Sequence, residues 1–158
     1  MTIRIAEARW PQDRAKVEAL FREYVASLGV DIGFQNVDDE LATLPGKYAR
    51  PGGVTYIAFA ATEAAGAVAY RMLEPGVCEM KRLYVRPAFR GLAVGRALAE
   101  ELIADARARG YRTMLLDTLA TMQSAQRLYR NLGFRPIPPY YANPLPDVTY
   151  MALDLSAD

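Results

Sequence analysis

The stretch Arg90-Gly91-Leu92-Ala93-Val94-Gly95-Arg96-Ala97 constrains this chain more than any other. It follows a strand-like run ending Leu83-Tyr84-Val85 and opens a helical pattern. A helix start exposes N–H groups that have no intrahelical acceptor, and it carries positive potential. Two glycines and an alanine let a bulky anion approach that backbone, and Arg90 and Arg96 add fixed charge. The segment reads as a pyrophosphate cradle, and it demands a strand–loop–helix unit to carry it.

Composition narrows what surrounds that unit. The 158 residues suit one domain, 1–158, with a real core. A formal net charge of +1 argues against nucleic acid as a partner. With no histidine and one cysteine, Cys78, the chain lacks the usual zinc ligands and cannot build a histidine-based triad, so no metal is expected. The lone cysteine points to a reducing compartment. The N-terminus has no apolar signal region, and no apolar run approaches the roughly 18 residues of a membrane span. These features predict a cytoplasmic protein with no membrane partner.

Periodicity supplies the elements. Ile3–Ala8 alternates as a half-buried strand, and Asp13 is placed to cap a helix carrying Val17, Leu20, Phe21, Tyr24, Val25 and Leu28 on one face. A short helix is expected over Asn36–Leu44. Strands are expected over Val54–Thr62, Gly66–Leu73 and Val77–Val85, the first two joined near Glu63-Ala64-Ala65. The cradle helix runs to about Arg109. A strand over Thr113–Asp117, a helix over Met122–Asn131, a Pro- and Tyr-rich segment over Pro136–Pro146 and a strand over Val148–Leu155 complete a β-α-α-β-β-β-α-β-α-β order, one mixed α/β domain. Simple alternation puts Glu79, Lys81, Leu83 and Val85 on one face of their strand and Cys78, Met80, Arg82 and Tyr84 on the other, unless a bulge intervenes.

The cradle is not a Walker A loop, since no Gly-Lys-Ser/Thr follows, and its glycine spacing and late position do not fit a dinucleotide fingerprint. The longer segment Glu79-Met80-Lys81-Arg82-Leu83-Tyr84-Val85-Arg86-Pro87-Ala88-Phe89-Arg90-Gly91 is more specific. Some thirty residues later comes Ala125-Gln126-Arg127-Leu128-Tyr129-Arg130-Asn131-Leu132-Gly133-Phe134. With these two motifs in this order, nearly the whole chain resembles the GNAT superfamily of acyl-CoA N-acyltransferases. The resemblance implies a central mixed sheet flanked by helices, acetyl-CoA as co-substrate, and an N-acetyltransferase working by direct attack in a ternary complex.

The resemblance also implies roles. Backbone amides across Arg90, Gly91, Leu92, Ala93, Val94, Gly95 and Arg96 would hold the CoA pyrophosphate. The Leu83-Tyr84-Val85 strand end would pair with the pantetheine arm, one N–H facing the thioester carbonyl. Tyr129 would protonate the leaving thiolate, although its ring also suits packing. Glu79 lies where some family members place a general base; a salt bridge to Lys81 or Arg71 is the competing role. Two departures stand out: Ala93 replaces the middle glycine, and Met122 replaces a CoA-contacting asparagine. Asp117 either binds an acceptor ammonium or caps the Met122 helix or its loop. Cys78 lacks an activating partner and reads as core. Tyr140, Tyr141 and Asn143 either form an acceptor wall or a stiff cover. The acceptor is expected to be a small-molecule amine or a peptide N-terminus, with a homodimer as the assembly. The alternative from another class is a non-catalytic CoA-binding sensor or interaction module.

Overall fold

The computed structural model describes residues 2–156, the Phe34 side chain excepted. Met1, Ala157 and Asp158, which the 1–158 domain expectation includes, lie outside the described residues. The elements are β1 (Ile3–Glu7), α1 (Arg14–Ser27), α2 (Val37–Ala42), β2 (Val54–Ala60), β3 (Glu63–Glu74), β4 (Val77–Val85), α3 (Val94–Ala108), β5 (Thr113–Leu119), α4 (Gln123–Asn131), β6 (Arg135–Ile137) and β7 (Val148–Asp154). The seven strands form one sheet in the order β1-β2-β3-β4-β5-β7-β6. Every neighbouring pair is antiparallel except β4–β5. The sheet is mixed and flanked by helices. Among the described residues, no helix is long and apolar enough to cross a membrane.

Two apolar layers sandwich the sheet. On one face α1 and α2 bury Val17, Leu20, Phe21, Val37 and Leu41 against Ile57, Ala67 and Ala69. On the other, α3 and α4 bury Val94, Leu98, Leu102 and Tyr129 against Val68, Met80, Met114 and Leu116. Burying each such side chain contributes about 1.5–3 kcal/mol, so the helical spacing of these residues determines which face of each helix meets the sheet.

The structure corrects several local expectations. Asp13 stands at the start of α1 without capping it; its carboxylate instead accepts from the Arg9 N–H at 2.8 Å. The β2–β3 hairpin turns at Ala61-Thr62 rather than over residues 63–65, so β3 begins at Glu63. Strand β6 goes undetected by periodicity because it has three residues, one of them Pro136, and is largely exposed.

The most consequential difference lies in β4. Its pairing with β3 slips between Ala67↔Tyr84 and Ala69↔Lys81, and Arg82 takes φ 63°. This is a bulge: one extra residue that kinks the strand. It overturns the simple alternation. Arg82 and Tyr84 join Glu79 and Lys81 on the α1/α2 side, while Leu83 and Val85 join Cys78 and Met80 on the α3 side. Parallel pairing of β4 with β5 runs only from Val77↔Thr113 to Glu79↔Leu115. Beyond it the pairing ends, and among the described residues the main chain of β4 from Lys81 to Val85 has no strand partner on the β5 side.

Candidate active site

The gap between β4 and β5 is a narrow cleft of about 40 Å³. Met80, Lys81, Arg82 and Leu83 line it from β4, Leu116 to Leu119 from β5, and Met122 and Tyr129 from the α4 segment. Asn143 also reaches it, from the proline-rich segment, so a side-chain amide borders the cleft although Met122 is apolar.

Tyr129 is 6% exposed and packs edge-on against Phe134, centroids 5.7 Å apart. Burial, with Tyr24 and Asp117 adding to it, pushes its phenol well above the ordinary tyrosine range, so the proton stays on at neutral pH. On β5, Thr118 is 5% exposed, and its Oγ1 has no hydrogen-bond partner among the described residues. An orphaned buried hydroxyl costs about 1–3 kcal/mol, which marks a place where a ligand group fits.

The cradle adjoins this cleft. Residues Arg90 to Ala93 are exposed, and Ala93 precedes α3 in a left-handed conformation, φ 59° and ψ 24°. The first helical bond runs from the Ala97 N–H to the Ala93 carbonyl at 3.1 Å. The N–H groups of Val94, Gly95 and Arg96 therefore have no helical acceptor. A Cβ on Gly95 would touch Val85 and Leu128 at 3.7 and 3.8 Å, which is how closely α3 seats beside the end of β4. Arg90 Nε donates to the Val85 carbonyl at 3.1 Å, and Arg96 reaches Glu100 at 3.6 Å on the surface.

On the α1/α2 face lies a larger cavity of about 720 Å³. Arg71, Glu79, Lys81 and Arg82 come to it from the sheet, Glu40 and Tyr48 from the α2 region, and Tyr141 from the proline-rich segment. Gln35, Lys81 and Arg82 line both spaces, so cavity and cleft adjoin. Glu79, 1% exposed, accepts from Arg71 Nε at 2.9 Å and from Tyr140 Oη at 2.6 Å. Burial pushes its carboxyl up, but Lys81, Tyr140 and Arg71 together outweigh that and hold it below the usual carboxylate range. Arg82 is gripped by Glu40 at 3.0 and 3.1 Å and by Gln35 at 2.9 Å. Asp117 accepts a hydrogen bond from Tyr141 Oη, and Asn143 Nδ2 donates to the same phenol at 2.8 Å. Cys78 is fully buried, and its thiol is pushed up to about 12 by burial, which makes it inert at neutral pH.

Of the residues singled out from sequence, Tyr129 and Leu83 meet in the cleft, Val85 and Arg90 to Arg96 form its adjoining edge, and Glu79 faces the other cavity. Tyr84 points away from the cleft, its phenol toward Glu23 at 3.4 Å. Sequence reasoning missed the roles of Lys81 and Arg82. Two adjacent cations in a strand between two apolar layers were the available signal: without a bulge, one of them would be buried in oil.

This open β4–β5 pair, with a free helix start beside it, defines an acyltransferase architecture. Residues 17–134 match the acetyltransferase (GNAT) family. The chain belongs to that family, and it is an acetyltransferase. It is 46% identical to a Schizosaccharomyces pombe protein named as an uncharacterized N-acetyltransferase, over 98% of this chain and 96% of that one. Its fold is that of a GNAT acetyltransferase of Staphylococcus aureus Mu50 (TM-score 0.81, 20% identity, 98% and 99% of the two chains). It also superposes on the PaiA N-acetyltransferase of Thermoplasma acidophilum, solved in complex with coenzyme A (TM-score 0.76, 16% identity, 98% and 99%).

Proposed function

We propose that this chain moves an acetyl group from acetyl-CoA to an amine by direct attack across the β4–β5 cleft. The observation that carries the reading is the cleft itself: β4 main chain unpaired on its β5 side, lined by Tyr129 and by Thr118 with its orphaned hydroxyl, at a strand end against which the free helix start at Gly95 is seated. Acetyl-CoA supplies an activated acyl carbon and a thiolate leaving group. As the new C–N bond forms and the C–S bond breaks, one proton must leave nitrogen and one must reach sulfur.

The chain's residues divide this work. The amides at the start of α3 bind the diphosphate, helped by Arg90 and Arg96. The main chain of Leu83 and Val85 pairs with the pantetheine arm as an added strand, and an N–H there faces the thioester oxygen; one such donor is worth ~3 kcal/mol. Tyr129 keeps its proton until sulfur needs it. Glu79 takes the acceptor's proton, through water where distance requires. Being ionised throughout the working range, it leaves any alkaline limb of the pH profile to the acceptor amine. The buried free cysteine suits a cytoplasmic, reducing setting.

The test is CoA release with a panel of amines at pH 7 to 9. Tyr129→Phe is expected to lower kcat ~10²-fold with little change in the KM for acetyl-CoA. Glu79→Gln should lower kcat/KM for the amine by a similar ~10²-fold without moving the alkaline limb. Stabilisation by CoA with no turnover of any amine would replace the catalytic reading with a CoA-binding module.

A further inference from the structure

The large cavity carries more positive charge than its carboxylates answer. Arg71, Lys81 and Arg82 line it from the sheet and Lys47 from the segment after α2, four cations against three carboxylates, Asp39, Glu40 and Glu79. Arg82 is committed: Nε and Nη2 go to Glu40, and Nη1 goes to Gln35. Arg71 gives Glu79 only its Nε, and among the described residues neither of its terminal nitrogens has an acceptor. Lys81 touches Gln35 Oε1 at 3.2 Å and has no carboxylate within 4.0 Å among the described residues. Arg71 and Glu79 are register partners on neighbouring strands, and Lys81 follows Glu79 by two. The open guanidinium edge and the ammonium, held only by Gln35, therefore share one sheet face.

We propose that the acceptor is a small amine that also bears a carboxylate, and that Arg71 and Lys81 bind that carboxylate on the floor of the larger cavity. The proposal rests on the acetyl-transfer reading above and names its acceptor class. A guanidinium edge presents two parallel N–H donors that match a carboxylate, and an ammonium adds a point charge. Burial first, and then Arg82, push the Lys81 ammonium below its ordinary value. A bound anion would reverse that, so the site gains from being filled. The volume of about 720 Å³ suits an amino-acid-sized molecule with room for a side chain. Lys81 also lines the narrow cleft, so a carboxylate held there leaves the attached amine beside Leu83 and Tyr129. Asp117, on the cleft wall, offers a carboxylate to the ammonium before it loses its proton.

The experiment offers the full chain paired amines, each as free acid and as carboxamide: glycine, leucine, glutamate and phenylalanine. CoA release is followed with saturating acetyl-CoA, and rates are corrected for the fraction of free amine. The free acids are expected to exceed their carboxamides at least ~10-fold in kcat/KM. Lys81→Met should bring that ratio close to one, mainly through KM, and Lys81→Arg should keep it. Carboxamides that react as well as the acids, or a ratio that survives Lys81→Met, would overturn the proposal. A second readout does not depend on turnover: the melting temperature with CoA and about 10 mM of each compound. Stabilisation by the acids alone, lost in Lys81→Met, upholds the carboxylate site even if no amine is acetylated, a result that would sink only the transfer reading. Equal or no stabilisation by acids and carboxamides overturns the site.

Discussion

Ala93 holds the tightest conformational demand in the cradle. A left-handed conformation costs an L-residue about 1–2 kcal/mol, and only glycine avoids it. The side chain is exposed, so nothing packed against its Cβ compensates. Ala93→Gly should therefore raise stability by about 0.5–1 kcal/mol after the entropy glycine adds to the unfolded chain. Calorimetry should show Tm up by about 2 °C. A fall in Tm would mean that the strain is absent. The same substitution frees the loop to shape itself around a diphosphate, so acetyl-CoA should bind no more weakly. Sequence alone showed that an alanine stood where the family pattern wants glycine. It could not show the reason, because the positive φ belongs to the turn and not to the residue.

At the scale of elements, the cleft depends on how β3 lies against the bulged half of β4. A Cβ built on Gly66 would sit 2.5 Å from the Tyr84 carbonyl oxygen and 3.2 Å from Val85 Cα. Both are backbone atoms and cannot rotate away. Gly66→Ala should cost about 1–3 kcal/mol. By displacing Tyr84 and Val85 it should also raise the KM for acetyl-CoA more than it lowers kcat. Thermal melts and donor titrations check the two effects, and wild-type values for both would refute the close approach. The long elements were legible because burial imposes a period: α1, α3 and β2 to β5 all follow from apolar spacing. Strand β6 was not, being too short to show any period. The bulge was not either, because a single left-handed arginine leaves no mark on composition, and everything downstream of it on β4 changed face. That is why Arg82 and Tyr84 were expected on the wrong side and why the cationic floor of the acceptor cavity stayed hidden.

The molecule as a whole is tied together away from the cleft by Asp105, on the C-terminal half of α3. Its carboxylate accepts from Tyr56 at 2.7 Å and Tyr70 at 2.6 Å, and from both terminal nitrogens of Arg50, so one helix residue fastens β2, β3 and the segment leading into them. Burial raises its pKa, but Arg50, Tyr70 and Tyr56 outweigh burial and hold it below the usual value of 3.8. A depressed carboxylate stabilises fully above its unfolded pKa, and that stabilisation is lost as pH falls through the folded one. Stability should therefore drop in acid below about pH 4. Asp105→Asn should cost about 2–4 kcal/mol at neutral pH and flatten that acid limb. Denaturant titrations from pH 3 to 7 measure both, and an unflattened limb would assign the acid loss to other carboxylates.

The bulge at Arg82 has a consequence for genetics. Strand β4 is in effect two messages written in different reading frames, with one arginine as the inserted letter. Before it, odd-numbered residues address the acceptor cavity; after it, odd-numbered residues address the cofactor side. Substitutions at Glu79 and Lys81 and substitutions at Leu83 and Val85 should therefore sort into separate phenotypes, acceptor choice and donor binding, although only a few residues separate them. Deleting Arg82 alone would leave every other β4 side chain on its present face and remove only the kink.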